Sequence, residues 1–199
     1  MSSYAQILRG SAVVALAATL GGCGINSIPT AEENVKARLA DVQNDYQRRA
    51  DLIPNLVATV KAAGAQEKSI LVEVTQARAA ASTVQVSGDD LTDPAKIEQF
   101  SRVQGAVGLS LQRLQEAYPE LKSQANYTTL MSQLEGTENR ITIARRDYNG
   151  AVQAYNTKIR TFPDAVGAKI FYGAKPMVPF AATTPGAETA PTVNFGNAS

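Results

Sequence analysis

The sequence predicts an all-α fold: an elongated antiparallel bundle of three long helices, a short fourth helix near the C-terminus and an extended tail. Two heptad seams carry that expectation. In the first half, Leu39, Tyr46, Ile53, Val60, Glu67, Val74 and Ala81 recur every seven residues, beside Val42, Arg49, Leu56, Ala63, Ile70, Ala77 and Val84. Twelve of these fourteen positions are apolar, the repeat of a helix that buries one stripe. The second seam runs Tyr127, Leu134, Ile141, Tyr148, Tyr155 and Phe162, with Leu130, Thr137, Ala144 and Ala151 in its partner row. Large rings facing small residues are the pattern of interlocking helices.

Residues 1–22 have the layout of an export signal. Arg9 supplies a positive n-region, an apolar run of about ten residues follows, and Gly21 and Gly22 precede Cys23. The run is well short of the roughly 20 apolar residues that cross a bilayer as a helix. Cys23 is the only cysteine, so it has no disulfide partner within the chain. Leu20-Gly21-Gly22-Cys23 resembles the lipobox of bacterial lipoproteins, in which the leader is cut before the cysteine and the new N-terminus is acylated. Two or three acyl chains suffice for stable anchoring. The expected address is therefore a lipid-anchored protein of the bacterial cell envelope, facing the periplasm. Gly24, where Asp would favour the inner membrane, favours the outer one. The alternative is a single-pass protein with an uncleaved N-terminal helix.

Residues 23–29 read as a tether and 30–173 as the bundle. Thr30 and Glu33 have the spacing of a capping box. A helix over 31–84 would be roughly 80 Å long. Pro54 falls inside it, but the seam stays in phase, which predicts a kink in a continuous helix. Gly64 is a second soft point. Ser82–Leu91 is a polar connection. Asp93 and Pro94 read as N-cap and first helical position, opening a helix with Ile97, Phe100, Val103, Val107, Leu111 and Leu114 that ends before Pro119. Its small face, Ser101, Gly105 and Gly108, suggests close approach of a neighbouring helix. The last long helix spans about 123–161, and Phe162-Pro163 ends it. Asp164 would cap a short segment, 165–172, that Gly173 stops. From 174 to 199 the composition turns to Pro, Ala, Thr and Gly, which predicts an extended or disordered tail, tethered by Phe180 or Phe195.

Composition narrows the function. The chain has no histidine, which removes the commonest metal ligand and general base. With the only thiol assigned to lipid, neither a metal site nor another cofactor is expected. Leader removal takes one of 19 basic residues and leaves 18 against 18 acidic; that neutral balance argues against a nucleic-acid partner. Glu135 and Glu138 share a helical face but lack the Glu-x-x-His partner of di-iron bundles. Two charged clusters remain, Arg48-Arg49-Ala50-Asp51 and Arg145-Arg146-Asp147. They fit ion pairing between antiparallel helices that fixes register. The alternative is a site for a small anion or lipid headgroup lined by Arg48, Arg49, Arg145 and Arg146.

The strings from Ile25 to Lys36, from Tyr46 to Lys61 and from Leu134 to Asn149, with Tyr155-Asn156 and Arg160-Thr-Phe-Pro163, resemble the LemA family over about residues 25–180. The resemblance implies an all-helical antiparallel bundle on an envelope membrane, no established enzymatic activity and no catalytic residues. Many members carry an N-terminal transmembrane helix, where this chain has the lipobox-like Cys23. Arg48, Asp51, Pro54, Asn55, Glu138, Asn139, Arg145, Tyr148 and Asn149 carry over as signature residues. Together these readings favour a membrane-anchored scaffold or interaction module, not an enzyme, whose envelope partner the sequence does not name.

Overall fold

The computed structural model describes residues 26–64 and 68–181; the leader, Cys23, Gly24 and Glu67 lie outside them. Those residues form helices and connections, with no strand among them. The long helices are α1 (Ser27–Ala62), α2 (Lys68–Thr83), α3 (Pro94–Ala117) and α4 (Ala125–Lys158), and α5 (Asp164–Gly167) is short. Single turns of tighter helix, Gly88–Thr92 and Pro119–Ser123, precede α3 and α4, and the wider turn Ala168–Tyr172 follows α5.

The first half departs from one long rod. α1 runs unbroken through Pro54, as the in-phase seam requires, but stops at Ala62. Gly64 takes φ +84°, a left-handed conformation that costs other residues roughly 1–2 kcal/mol. The chain then doubles back, so that α2 lies beside α1. Arg78 Nε reaches the Ala50 carbonyl at 2.8 Å, and Gln43 Nε2 reaches that of Val86 at 2.7 Å. Four long helices therefore replace the three expected. The start of α1 also differs. Thr30 Oγ1 donates to the Asn26 carbonyl at 2.7 Å, and Glu33 pairs with Lys36, so no capping box forms there. The equivalent reciprocal pair is Ser87 with Asp90, whose carboxylate accepts from the Ser87 N–H at 2.9 Å and its hydroxyl at 2.8 Å. Asp93 caps α3 as expected, accepting from Ala95 N–H at 2.9 Å.

α1 packs chiefly on α4 and α2 on α3. The seam residues Leu39, Val42, Tyr46, Ile53, Leu56 and Val60 of α1 are buried, as are Tyr127, Leu134, Ile141, Tyr148 and Tyr155 of α4. Each buried aliphatic or aromatic side chain contributes about 1.5–3 kcal/mol relative to exposure. Phe162 leaves this seam. α4 ends at Lys158, and the following turn places Phe162 86 % exposed.

The two glycines on the small face of α3 show no close approach of a neighbouring helix. A Cβ at Gly105 would meet nothing within 4 Å, and one at Gly108 only the tip of Arg49. Instead α3 and α4 flank a groove of about 700 Å³, lined by Gly108, Leu111, Tyr127, Met131 and Leu134 among others.

After Gly173, at φ +54°, residues 174–181 turn back along α4 as an extended strap. Met177 and Phe180 are buried, and Val178 N–H donates to the Leu91 carbonyl at 2.8 Å. The remainder of the tail, with Phe195, lies outside the described residues.

Candidate functional site

The buried residues fall into two apolar clusters. One gathers Val35, Leu39, Tyr46, Phe100, Ile141, Tyr148 and Phe180; the other gathers Ile53, Leu56, Val107, Leu114, Tyr127 and Leu134. Between them lies a polar layer. On α1 it is Arg49, one turn from Tyr46 and one from Ile53. On α3 it is Gln104, between Phe100 and Val107, and on α4 Glu138, between Leu134 and Ile141.

Arg49 is 3 % exposed. Its Nη1 donates to Glu138 Oε1 at 2.7 Å, and its Nη2 donates to both the backbone and side-chain oxygens of Gln104 at 2.8 Å. The guanidinium also stacks 4.9 Å from the Tyr46 ring centre. A buried charge costs several kcal/mol unless paired and bonded, and here three acceptors and a ring meet it. A planar fork fits this geometry and an ammonium would not. Because the layer joins three helices, sliding any of them by a turn would strand the charge. The arrangement fixes register through Glu138 and Gln104, not through reciprocal pairing of the two arginine clusters. On one side of the layer a cavity of about 340 Å³ opens between α1, α2 and α3, lined by Gln43, Arg49, Arg78 and Gln104 among others.

A second polar constellation holds the strap to α4. Asn149 Nδ2 donates to the Phe180 carbonyl at 2.9 Å while its Oδ1 accepts the Phe180 N–H at 2.8 Å. Asn156 does the same to Met177, at 2.8 Å in both directions. Each amide thus reads both polar groups of one extended residue. The register is geometric: seven helical residues rise about 10.5 Å, and three extended residues span about 10 Å. Between the clamps, Tyr148 Oη donates to the Val178 carbonyl at 2.9 Å. Burial pushes that phenol well above its ordinary value of 10.0. Arg145 Nη2 donates to the Ala181 carbonyl at 2.6 Å, its guanidinium 5.3 Å from the centre of the Phe180 ring. That ring packs 4.6 Å from Tyr148 and 6.0 Å from Phe100.

The four arginines therefore do not converge on one anion site. Arg49 is spent inside the bundle, Arg145 on the strap, and Arg146 pairs with its neighbour Asp147 at 3.1 Å on the surface. Arg48 faces a separate surface groove of about 360 Å³ between α1 and α4, with Leu52, Gln133, Gly136, Thr137 and Arg140. Asp51, Pro54, Asn55 and Asn139 are exposed, and Asp51 accepts from Gln47 one turn away at 2.7 Å.

Sequence reasoning missed Gln104 and Arg78, and had Asn156 only as part of a string resembling the family, with no role. Gln104 was legible as the polar gap in the row Ile97, Phe100, Val107, Leu111. Asn156 stands one heptad after Asn149. Nothing in the sequence points to Arg78.

These features define a class: an all-helical protein whose helices are pinned at mid-height by a buried arginine layer and whose C-terminal segment is clamped along the last long helix. A model described as the LemA family matches residues 38–195, and the chain belongs to that family. Magnetosome proteins MamQ 2 and MamQ 1 of Paramagnetospirillum magneticum are each 29 % identical over 177 residues, covering 79 % of this chain and 65 % of theirs. Protein LemA of Metamycoplasma hominis is 24 % identical over 139 residues, 60 % of each chain. The chain thus spans just under two thirds of the length of these relatives. No helix among the described residues is long and apolar enough to cross a membrane.

Proposed function

We propose that this protein is a non-catalytic scaffold of the bacterial cell envelope. In this reading it is held to a membrane by acylated Cys23, faces the periplasm and engages an envelope protein through its α1–α4 face. One observation carries the proposal: the family-signature residues divide into two groups. Glu138, Arg145, Tyr148 and Asn149 spend their polar groups on the bundle itself, Glu138 by accepting from Arg49. Arg48, Asp51, Pro54, Asn55 and Asn139 stand exposed on α1 and α4, the helices that form the 360 Å³ groove. The first group builds the fold, and the second is the surface left to be read by a partner. The lipobox-like leader supports the address. A photocrosslinking residue placed at Asn55 in the membrane-bound chain should yield one discrete adduct, weakened by Arg48→Glu. The same probe at Val72, exposed on α2, should yield none. Equal labelling from both positions would sink the proposal.

Arg48 and Arg140 favour a second reading, since both line that groove and neither forms an ion pair among the described residues. A small anion or lipid headgroup would bind there, not at a four-arginine cluster. Inorganic phosphate or a glycerophosphate would then raise the melting temperature, and Arg48→Ala would abolish the rise.

A further inference from the structure

Five of the eight large apolar side chains exposed among the described residues lie within one stretch: Phe162 at 86 %, Val166 at 50 %, Ile170 at 69 %, Phe171 at 66 % and Tyr172 at 41 %. Large apolar side chains left exposed together in one short segment are a mark of an interaction site. Over residues 158–175 the chain carries four basic residues, Lys158, Arg160, Lys169 and Lys175, against one acidic, Asp164. This tip forms the end of the bundle at which α1 begins. A Cβ at Gly167 would stand 4.0 Å from Ile28 Cδ1, and Ala168 shares a buried cluster with Ile28. Asn26 is three residues from Cys23, a separation of at most about 11 Å. Acylated cysteine and uncleaved leader alike would bring this end of the bundle to the bilayer surface.

We propose that the 162–172 tip is a membrane-interface contact that docks on an anionic leaflet. Phe162, Ile170 and Phe171 enter the boundary between headgroups and acyl chains. Tyr172 sits at headgroup depth, where amphipathic rings collect, and the four basic side chains meet anionic headgroups. Two short turns cannot span a bilayer, so the contact is interfacial. Its effect is orientation: a single tether lets the bundle tumble, whereas tether plus tip stands it on the membrane with the α1–α4 groove held clear. The inference deepens the membrane address proposed above and rests on it.

The chain has no tryptophan, so one introduced tryptophan reports alone. Full-length Phe171→Trp and Val72→Trp variants would be reconstituted with phosphatidylcholine–phosphatidylglycerol vesicles carrying brominated acyl chains. The expected result is a blue shift and quenching by about half for Phe171→Trp. Lys169→Glu with Lys175→Glu should reduce that quenching, and Val72→Trp should keep water-like emission. Water-like, unquenched emission from Phe171→Trp on chains that co-sediment with vesicles overturns the tip contact and leaves the membrane address standing. Failure to co-sediment overturns both. A blue shift that grows with protein concentration without lipid assigns the tip to a second copy and also overturns the proposal. Because the tip is exposed, circular dichroism of every variant should match the parent.

Discussion

Arg78 supplies the hydrogen bond that Pro54 cannot. Its Nε donates at 2.8 Å to the carbonyl of Ala50, the acceptor that an N–H at position 54 would use in a regular helix. Proline inside α1 thus leaves a main-chain acceptor open, and α2 docks through it. The in-phase proline therefore marks where the returning helix attaches.

The Pro54–Arg78 relationship predicts strong non-additivity. Arg78→Ala should cost about 1–3 kcal/mol in the parent, because a part-buried carbonyl loses its partner. In a Pro54→Ala background the restored N–H satisfies Ala50, and the same change should cost little. Urea denaturation of the four proteins checks this, with a coupling of about 0.5–3 kcal/mol expected. Additive effects would mean that the two residues act independently. Co-purification with Pro54→Ala tests separately whether the proline also shapes the partner face.

Arg49→Ala should be the most damaging change in either charged cluster. It removes three hydrogen bonds and leaves the Gln104 oxygens buried between two cores, for a loss of about 3–5 kcal/mol. The Glu138 side chain, 44 % exposed, can rehydrate, which places the loss near the lower bound. Arg146→Ala, at a surface pair, should cost about 0–1 kcal/mol. Thermal melts of the two variants rank them.

Asn156→Ala should free the strap at Met177 before Phe180, and Asn149→Ala the reverse. Each removes two side-chain hydrogen bonds worth about 0.5–1.5 kcal/mol apiece. Hydrogen exchange resolved to single amides should show faster exchange at the matching strap residue, while α1 and α4 keep their protection. Uniform acceleration throughout the bundle would show that the strap is integral to the global fold.

Alkaline pH should unfold the protein. Burial raises the phenols of Tyr46, Tyr127, Tyr148 and Tyr155 above 10.0. In the unfolded chain these groups lose protons near pH 10, before they do so in the fold. The unfolded state then binds fewer protons, and stability falls as pH rises. Below about pH 10 the contribution is fully present; above it, melting temperature should drop steeply. Tyr148→Phe should flatten that drop while losing the Val178 bond. A pH series of melts monitored by circular dichroism provides the check.

The sequence by itself determined the helical class, the buried stripe on α1 and α4, the Asp93 cap and passage of α1 through Pro54. Each follows from local periodicity or local backbone chemistry, which a linear string contains in full. The seam could not show that the rod folds back near Gly64, because residues on both sides of the turn keep the same heptad phase and each half buries the same stripe. Tertiary structure alone decided which helices pair, and with that the fates of Arg49, Arg78 and Arg145. Arg48 and Arg49 are neighbours in the chain, yet one faces a groove and the other the polar layer between the cores, because successive helical residues point about 100° apart and the partners 55 and 89 residues away determine what Arg49 meets. The strap shows the same limit. Its composition reads as tail, and it is ordered by Asn149, Asn156, Tyr148 and Arg145 on α4, whose amide, phenol and guanidinium groups become a receptor for an extended chain only when Gly173 turns that chain back along the helix.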